Sequence, residues 1–284
     1  IYLREDLIKR IMNNTQSNHY RNMIISEERN IIDNKINKIM NESTLTKMNL
    51  MKFYGMHGAF KTALETGSTN DYTQDEFIGY LTEAEWDDRQ NRKIERTIKN
   101  ARFRYKAAAE DIVYEPSRNI DKNSIMRLFE SEYIHKAKNI LITGSTGVGK
   151  SYLATALGYQ ACIQGYKVLY FNSSRLFAKL KMAKADGSSL KELARIQRNQ
   201  LFILDDFGLQ PLDNQSSMML LEIIEDRQGK NAAIITSQIP VNSWYDIIGE
   251  KTVADAILDR LVHDAHRLEL NGESMRKNKL NKNL

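Results

Sequence analysis

The sequence predicts an α/β fold preceded by a small all-helical region, and three observations carry that prediction. The first is the apolar run Asn139-Ile140-Leu141-Ile142-Thr143, which leads into Gly144-x-x-x-x-Gly149-Lys150-Ser151 and then into a helical stretch from Tyr152 to Cys162. The second is a set of further short apolar runs, above all Leu201-Phe202-Ile203-Leu204 ending in Asp205 and Asp206. The third is helical spacing between Leu45 and Lys106, broken at Tyr114-Glu115-Pro116-Ser117-Arg118-Asn119, where Pro116 stops the preceding element.

Bulk properties narrow the class. The 284 residues are long for one compact domain and comfortable for two unequal ones. A hydrophobic share of 42% beside 27% charged residues lets a core form under a well-solvated surface. The single cysteine, Cys162, excludes an intramolecular disulfide and a cysteine-cluster zinc site, which fits a reducing, cytoplasmic setting. No apolar run is long enough to cross a bilayer and no signal-peptide pattern opens the chain, so no membrane partner is expected. A net charge of +5 and a pI near 9.0 are mild and gain meaning only from where the charge sits.

Taken in order, residues 1–39 are rich in Asn and Ile and weakly periodic, and they are expected to be an extension ahead of a natural start at Met40, or a mobile arm. Residues 40–115 form the expected helical domain and 116–284 the nucleotide-binding domain. Leu45 to Leu64 reads as a helix that Gly55 and Gly58 weaken, and Asp71 to Glu76 opens a second, with Thr73 or Asp71 as N-cap. A third runs through Arg89, Arg92, Lys93, Arg96, Lys99, Arg102, Arg104 and Lys106, with Glu95 the only acid. On a helix, Arg89, Arg92, Arg96, Lys99, Arg102 and Lys106 step by three and four residues and share one face; Ile94, Ile98, Ala101 and Tyr105 share another, expected to pack on the first two helices. Solvated helix surfaces normally mix signs, so a nearly unmixed basic face favours a nucleic-acid phosphate backbone as partner. Asn123 to His135 then reads as a connecting helix.

The glycine-rich stretch is a complete P-loop pattern, and each residue type has a physical reason. A phosphate chain lying against bare backbone N–H groups needs a loop that turns where side chains would collide, which asks for glycine. Gly144, Ser145, Thr146, Gly147, Val148 and Gly149 supply that loop, and the helix opening at Lys150, Ser151 and Tyr152 turns its unpaired N–H groups toward the anion. Lys150 is then placed to reach the β- and γ-phosphates, and the Ser151 hydroxyl to ligate Mg²⁺. These residues predict nucleoside triphosphate binding.

The strands that follow are Lys167 to Phe171, Leu201 to Asp206, Asn231 to Gln238 and His266 to Leu270, with helices over Ser174 to Lys184 and Asp255 to Asp264. Apolar residues ending in two acids describe a central parallel strand whose C-terminal tip faces a ligand. Asp205 is placed to hold magnesium, directly or through water, and Asp206 to polarise the attacking water. Ser237 and Gln238, at the next strand tip, suit sensing of the γ-phosphate between the two earlier tips. Arg260 and Arg276 have no evident internal acid partner, and an arginine near a γ-phosphate stabilises charge on the transferring oxygens. His263 and His266 are weak metal candidates, because the pattern changes from helix to strand between them.

In this order the P-loop, Leu204-Asp205-Asp206-Phe207-Gly208, Ile235-Thr236-Ser237-Gln238, Ile257-Leu258-Asp259-Arg260-Leu261 and Gly272-Glu273-Ser274-Met275-Arg276 resemble the IstB-like transposition helper ATPases, a branch of the AAA+ group close to DnaC-type helicase loaders. The likeness runs from about Met40 to Arg276, and Ala84-Glu85-Trp86 with the basic run after it is similar to the family's small helical domain. The resemblance implies an αβα sandwich on a five-stranded parallel sheet, ATP and Mg²⁺ as cofactors, homo-oligomerisation on double-stranded DNA, and help to a cognate transposase in choosing a target. It implies Walker A roles for Lys150 and Ser151 and Walker B roles for Asp205 and Asp206. Ser237 or Gln238 would be sensor I, Arg260 an arginine finger reaching a neighbour's ATP, and Arg276 a sensor II-like residue. Two features depart from the pattern: Asp206 stands where most AAA+ proteins have glutamate, and the short stretch given after Arg276 is not expected to form the usual helical lid. A helicase loader and a DNA-binding scaffold with ATP as a structural ligand are the alternatives; the sparse aromatics, Phe103 and Tyr105, lean toward duplex over single strands.

Overall fold

A computed structural model describes residues 35–275 and, ahead of them, residues 23, 26, 27, 29 and 31–33. The expectation for residues 1–39 falls largely outside the described residues. The chain divides into two compact units, Ile1–Asn91 and Arg92–Leu284.

The first unit is helical. Residues 35–50 form α1, Tyr54–Thr66 forms α2, and α3 starts at Gln74. The single helix expected over Leu45 to Leu64 is thus two, separated at Lys52, whose φ of 62° no continuing helix accommodates. Thr73 caps α3 in a reciprocal box: its hydroxyl accepts from the Glu76 N–H (3.3 Å), and the Glu76 carboxylate accepts from the Thr73 N–H (2.8 Å). No side chain of its own caps α2; buried Glu85 of α3 accepts from the N–H groups of Gly55 (2.9 Å) and Met56 (3.3 Å) instead. Burial pushes the Glu85 carboxyl up, but the Arg89 hydrogen bond and these two N–H groups outweigh it and hold the group below its ordinary value.

The second and third helices read from sequence are one. α3 runs unbroken over Gln74–Ala101, and the division between the units falls inside it at Asn91/Arg92. The expected boundary at 115/116 lies within the second unit, because Ala101, Ala107 and Ile112 are buried in that unit's core, with Ile98 packed against it. Ile98 and Ala101 therefore face the nucleotide-binding unit, not the first two helices. Arg102 follows the helix with φ 60°, so Arg102, Arg104 and Lys106 leave the basic face on which the sequence placed Arg102 and Lys106.

The second unit is a three-layer αβα sandwich. Its strands are β1 (Ile140–Gly144), β2 (Val168–Asn172), β3 (Leu201–Phe207), β4 (Ala232–Ser237) and β5 (His266–Leu270), all parallel in the order β2-β3-β4-β1-β5. Side chains alternate between faces, as strand geometry requires. Ile140, Ile142, Ile203 and Ile234 join one core with α4 (Lys122–Phe129) and α6 (Lys150–Ile163). Leu141, Leu169, Phe202, Leu204 and Ile235 join the other, under α7 (Ser173–Ala185), α8 (Ser189–Gln197), α9 (Asn214–Arg227), α10 (Trp244–Ile248) and α11 (Lys251–Val262). The connecting helix expected over Asn123 to His135 is split into α4 and the short α5 (Glu132–His135) by Ser131, with φ 61°. The strand order sets the site: β4 lies between β1 and β3, so three strand tips open side by side at one edge.

Candidate functional site: a cleft over three strand tips

The loop from Gly144 to Gly149 joins β1 to α6 and bends where only glycine fits. Gly144 has φ 142°, and a Cβ there would meet the Leu270 carbonyl oxygen at 2.1 Å; Gly147 has φ 89°, and a Cβ would meet Ser274 Oγ at 2.2 Å. Val148 is fully buried and pins the loop to the core. Lys150, 5% exposed, opens α6, and its Nζ donates to the Ser145 carbonyl across the loop at 2.8 Å. Tyr152 stacks on Tyr105 at 6.1 Å, donates to Asp111 (2.9 Å) and accepts from the Ala108 N–H (3.3 Å).

The loop forms one wall of a cavity of about 500 Å³ lined by Thr146, Gly147, Gly149, Lys150, Ser151, Tyr152, Asp206 and Gln238, together with Tyr105, Asp111, Ile112, Val113, Arg118, Ile120 and Met275. Size and mixed lining suit a nucleotide. The structure thus brings together the P-loop residues, Asp206 and Gln238.

The two acids at the tip of β3 have different surroundings. Asp205 is fully buried: Oδ2 accepts from the Tyr170 hydroxyl and Oδ1 from the Thr236 hydroxyl, each at 2.5 Å. Asp206 is turned into the cavity by a break in register, for Leu204 pairs with Ile235 but Phe207 pairs with Ser237. Such a bulge re-aims a side chain, and the Asp206 φ of 59° is the local strain that accompanies it. The Asp206 N–H donates to Thr236 Oγ1 at 3.0 Å, so one threonine of β4 fixes both acids. Asp206 Oδ2 accepts from Asn172 Nδ2 at 3.2 Å and lies 3.9 Å from Arg104.

At the tip of β4, Ser237 and Gln238 part company. Ser237 is buried and donates to the Phe207 carbonyl at 2.8 Å, bracing the β3–β4 bulge. Gln238 faces the cavity, where its Oε1 accepts from the Thr146 hydroxyl of the P-loop at 2.6 Å. Arg260 lies on α11 outside the cavity lining, and it has an internal acid partner that the sequence did not show: Nη2 pairs with Glu225 of α9 at 3.0 Å, while Nη1 donates to the Ala256 carbonyl at 2.7 Å. Arg276 lies outside the described residues; the Met275 N–H just before it donates to the Gly147 carbonyl at 3.0 Å.

Of the proposed DNA-contacting residues, Lys93, Arg96 and Lys99 are exposed along α3 and Arg92 is half-buried. Arg89 is engaged within the first unit, with Nε 2.6 Å from Glu85 and the guanidinium 5.3 Å from the Phe53 ring centre. Sequence reasoning missed the wall made by Asp111 to Ile120, because Pro116 signals a break and hides that the broken segment lines the cavity. Within it, buried Arg118 donates to the carbonyls of Val113 and, at 2.6 Å, of Val148 in the P-loop; burial lowers its guanidinium pKa, with Glu115 opposing. Tyr105, expected on the helix face that packs on the first two helices, instead follows the end of α3 and stacks on Tyr152 at the cavity; burial raises its phenol, and the Asp205 charge adds to the rise. Thr236 could have been read from its place one residue before the polar strand tip.

No group of three or more His, Cys, Asp and Glu suited to a metal occurs among the described residues, and no described helix is long and apolar enough to cross a membrane. The hard oxygens of Ser151 and Asp206, which line the same cavity, with buried Asp205 next to Asp206 in the chain, fit Mg²⁺ in the role it takes beside phosphates, where most of its ligands are water and phosphate.

Residues 46–283 match the model of the IstB-like ATP binding protein family. The insertion sequence ATP-binding protein y4pL of Sinorhizobium fredii is 46% identical over 243 residues, covering 84% of this chain and 98% of that protein. Among solved structures, DnaI superposes with a TM-score of 0.50 at 22% identity over 58% of this chain and 92% of its own. AMPPCP-bound DnaA from Aquifex aeolicus does so with 0.53 at 18% identity, over 64% and 56%, which places the second unit in the AAA+ P-loop fold. On these grounds the chain belongs to the IstB-like family of insertion-sequence ATP-binding proteins.

Proposed function

We propose that this chain is an ATPase that assembles on duplex DNA and assists the transposase of its insertion sequence in selecting a target. The observation that carries the reading is the convergence of Lys150, Ser151, Asp206 and Gln238 on one cavity over the tips of β1, β3 and β4. ATP lies in that cavity with its phosphates along the P-loop, a reading supported by DnaA, which shares the fold and binds AMPPCP. Lys150 exchanges its Ser145 carbonyl for phosphate oxygens. Mg²⁺, when bound, would offset phosphate charge; the Ser151 hydroxyl would hold it, with the Asp205 carboxylate, itself fixed by Tyr170 and Thr236, as the supporting acid. Asp206 orients the attacking water, and Gln238, already bonded to Thr146, senses the γ-phosphate. Arg260 acts on the ATP of a neighbouring copy, which requires it to leave Glu225. Duplex DNA lies along Arg92, Lys93, Arg96 and Lys99 of α3.

The test is ATP-dependent assembly on duplex DNA, followed by light scattering. Wild-type protein should assemble only with Mg-ATP, and Lys150→Ala should lose the response. Equal assembly by the variant would remove the phosphate role from Lys150.

A further inference from the structure

Beside the nucleotide cavity lies a second one, of about 710 Å³, lined by Arg102, Phe103, Arg104, Tyr170, Phe171, Asn172, Arg175 and Lys179. It carries four cations and no acid. Lys179 is neutralised by Glu192 at 2.5 Å. Arg102 and Arg175 have no acid within ion-pair distance among the described residues, and both are exposed. Arg104, 57% exposed, points the other way, to Asp206 at 3.9 Å. Asn172 belongs to this lining and donates to the same Asp206 oxygen, so the two cavities meet at one carboxylate.

We propose that this basic cleft takes a phosphate of the DNA backbone between Arg102, Arg104 and Arg175, and that DNA thereby draws Arg104 away from Asp206 and releases ATP hydrolysis. The inference rests on the DNA-bound ATPase reading above and extends it. Arg102 and Arg175, with no acid partner among the described residues, and Arg104, only loosely paired with Asp206 at 3.9 Å, concentrate positive potential at one spot, the pattern that favours a phosphodiester. Position supports a nucleic acid over a protein partner. Arg102 and Arg104 follow directly on α3, so a backbone lying along Arg96 and Lys99 meets the cleft where the helix ends. While Arg104 sits at Oδ2, it competes with water for the lone pairs Asp206 needs to orient a nucleophile. A DNA phosphate offers Arg104 a bidentate partner in place of an exposed contact of 3.9 Å, which is weak at that distance.

The experiment measures phosphate release by the full chain with saturating Mg-ATP, with and without duplex DNA, together with the salt dependence of duplex binding. Thermal melts establish that the Arg104→Gln and Arg175→Ala variants are folded. Arg104→Gln should turn over ATP several-fold faster than wild type without DNA and respond little to its addition. Arg175→Ala should need several-fold more duplex for half-maximal stimulation, and its log–log salt slope should fall by about one, the change for one lost phosphate contact. Wild-type protein that DNA stimulates, with Arg104→Gln unchanged in both DNA-free rate and stimulation, overturns this inference alone. So does loss of self-association by Arg175→Ala with an unchanged salt slope, which would assign the cleft to a neighbouring copy. Wild-type protein that neither binds duplex nor releases phosphate overturns the underlying reading as well.

Discussion

Thr236 shows how much one hydroxyl can organise. It donates to Asp205 and accepts from the Asp206 N–H, so both acids of the β3 tip take their positions from the neighbouring strand. Thr236→Val keeps the shape and removes both bonds, leaving a buried carboxylate oxygen and a backbone N–H without partners at a cost of about 1–3 kcal/mol. ATP turnover should fall at least ten-fold, on the order of 1.4 kcal/mol in the barrier, while nucleotide affinity changes little because the P-loop is untouched. Stopped-flow phosphate release and fluorescent-nucleotide titration separate the two; a parallel loss of affinity would show that Thr236 supports the loop instead. At this scale the motif residues were legible because each obeys a local rule: a backbone bend needs glycine, a phosphate needs lysine. Which of Ser237 and Gln238 faces the cavity was not legible, since the answer lies in a bulge on a different strand. The Arg260–Glu225 pair was hidden for the same reason, its partners being 35 positions apart on separate helices.

Among the elements, α3 departs most from its sequence pattern. Its basic spacing is real, but the helix ends at Ala101, so only the stretch to Lys99 presents one face. Periodicity locates a face well and a terminus poorly: Arg102 stops the helix in a left-handed conformation that no capping residue announces. Replacing Arg96 and Lys99 together by alanine should flatten the salt dependence of duplex binding by about two units of slope, with sequence preference unaltered. Filter binding across salt concentrations reads this directly, and an unchanged slope would leave those side chains with a solvating role only. β1 to β4 were legible as elements because buried parallel strands are continuous apolar runs bounded by polar tips, and the edge strand β5 was legible from its alternation of polar residues with Leu268 and Leu270. Helices α8 and α9 were not assigned; α9 is capped by Asp213, whose carboxylate accepts from the Ser216 N–H at 2.9 Å, but the helix is apolar on more than one side and gives a weak pattern.

For the whole molecule, a helix shared by both units joins the basic residues to the nucleotide-binding unit: α3 begins in the first and ends buried against the core of the second. The αβα fold and the preceding helices were legible from pattern alone. The position of the division was not, because Pro116 marks a local stop and the true limit is set by which side chains the second core buries. Under the proposed function Arg260 acts only in an assembly of several copies, since it lies outside its own chain's cavity lining and is paired with Glu225. The most direct measurement is phosphate release, on duplex DNA, by Arg260→Ala, by Asp206→Asn and by an equimolar mixture of the two. Cleavage at a cavity completed by the next copy predicts that each variant alone is inactive and that the mixture recovers part of the wild-type rate. Full activity of Arg260→Ala alone, or a mixture as silent as its components, would contradict it.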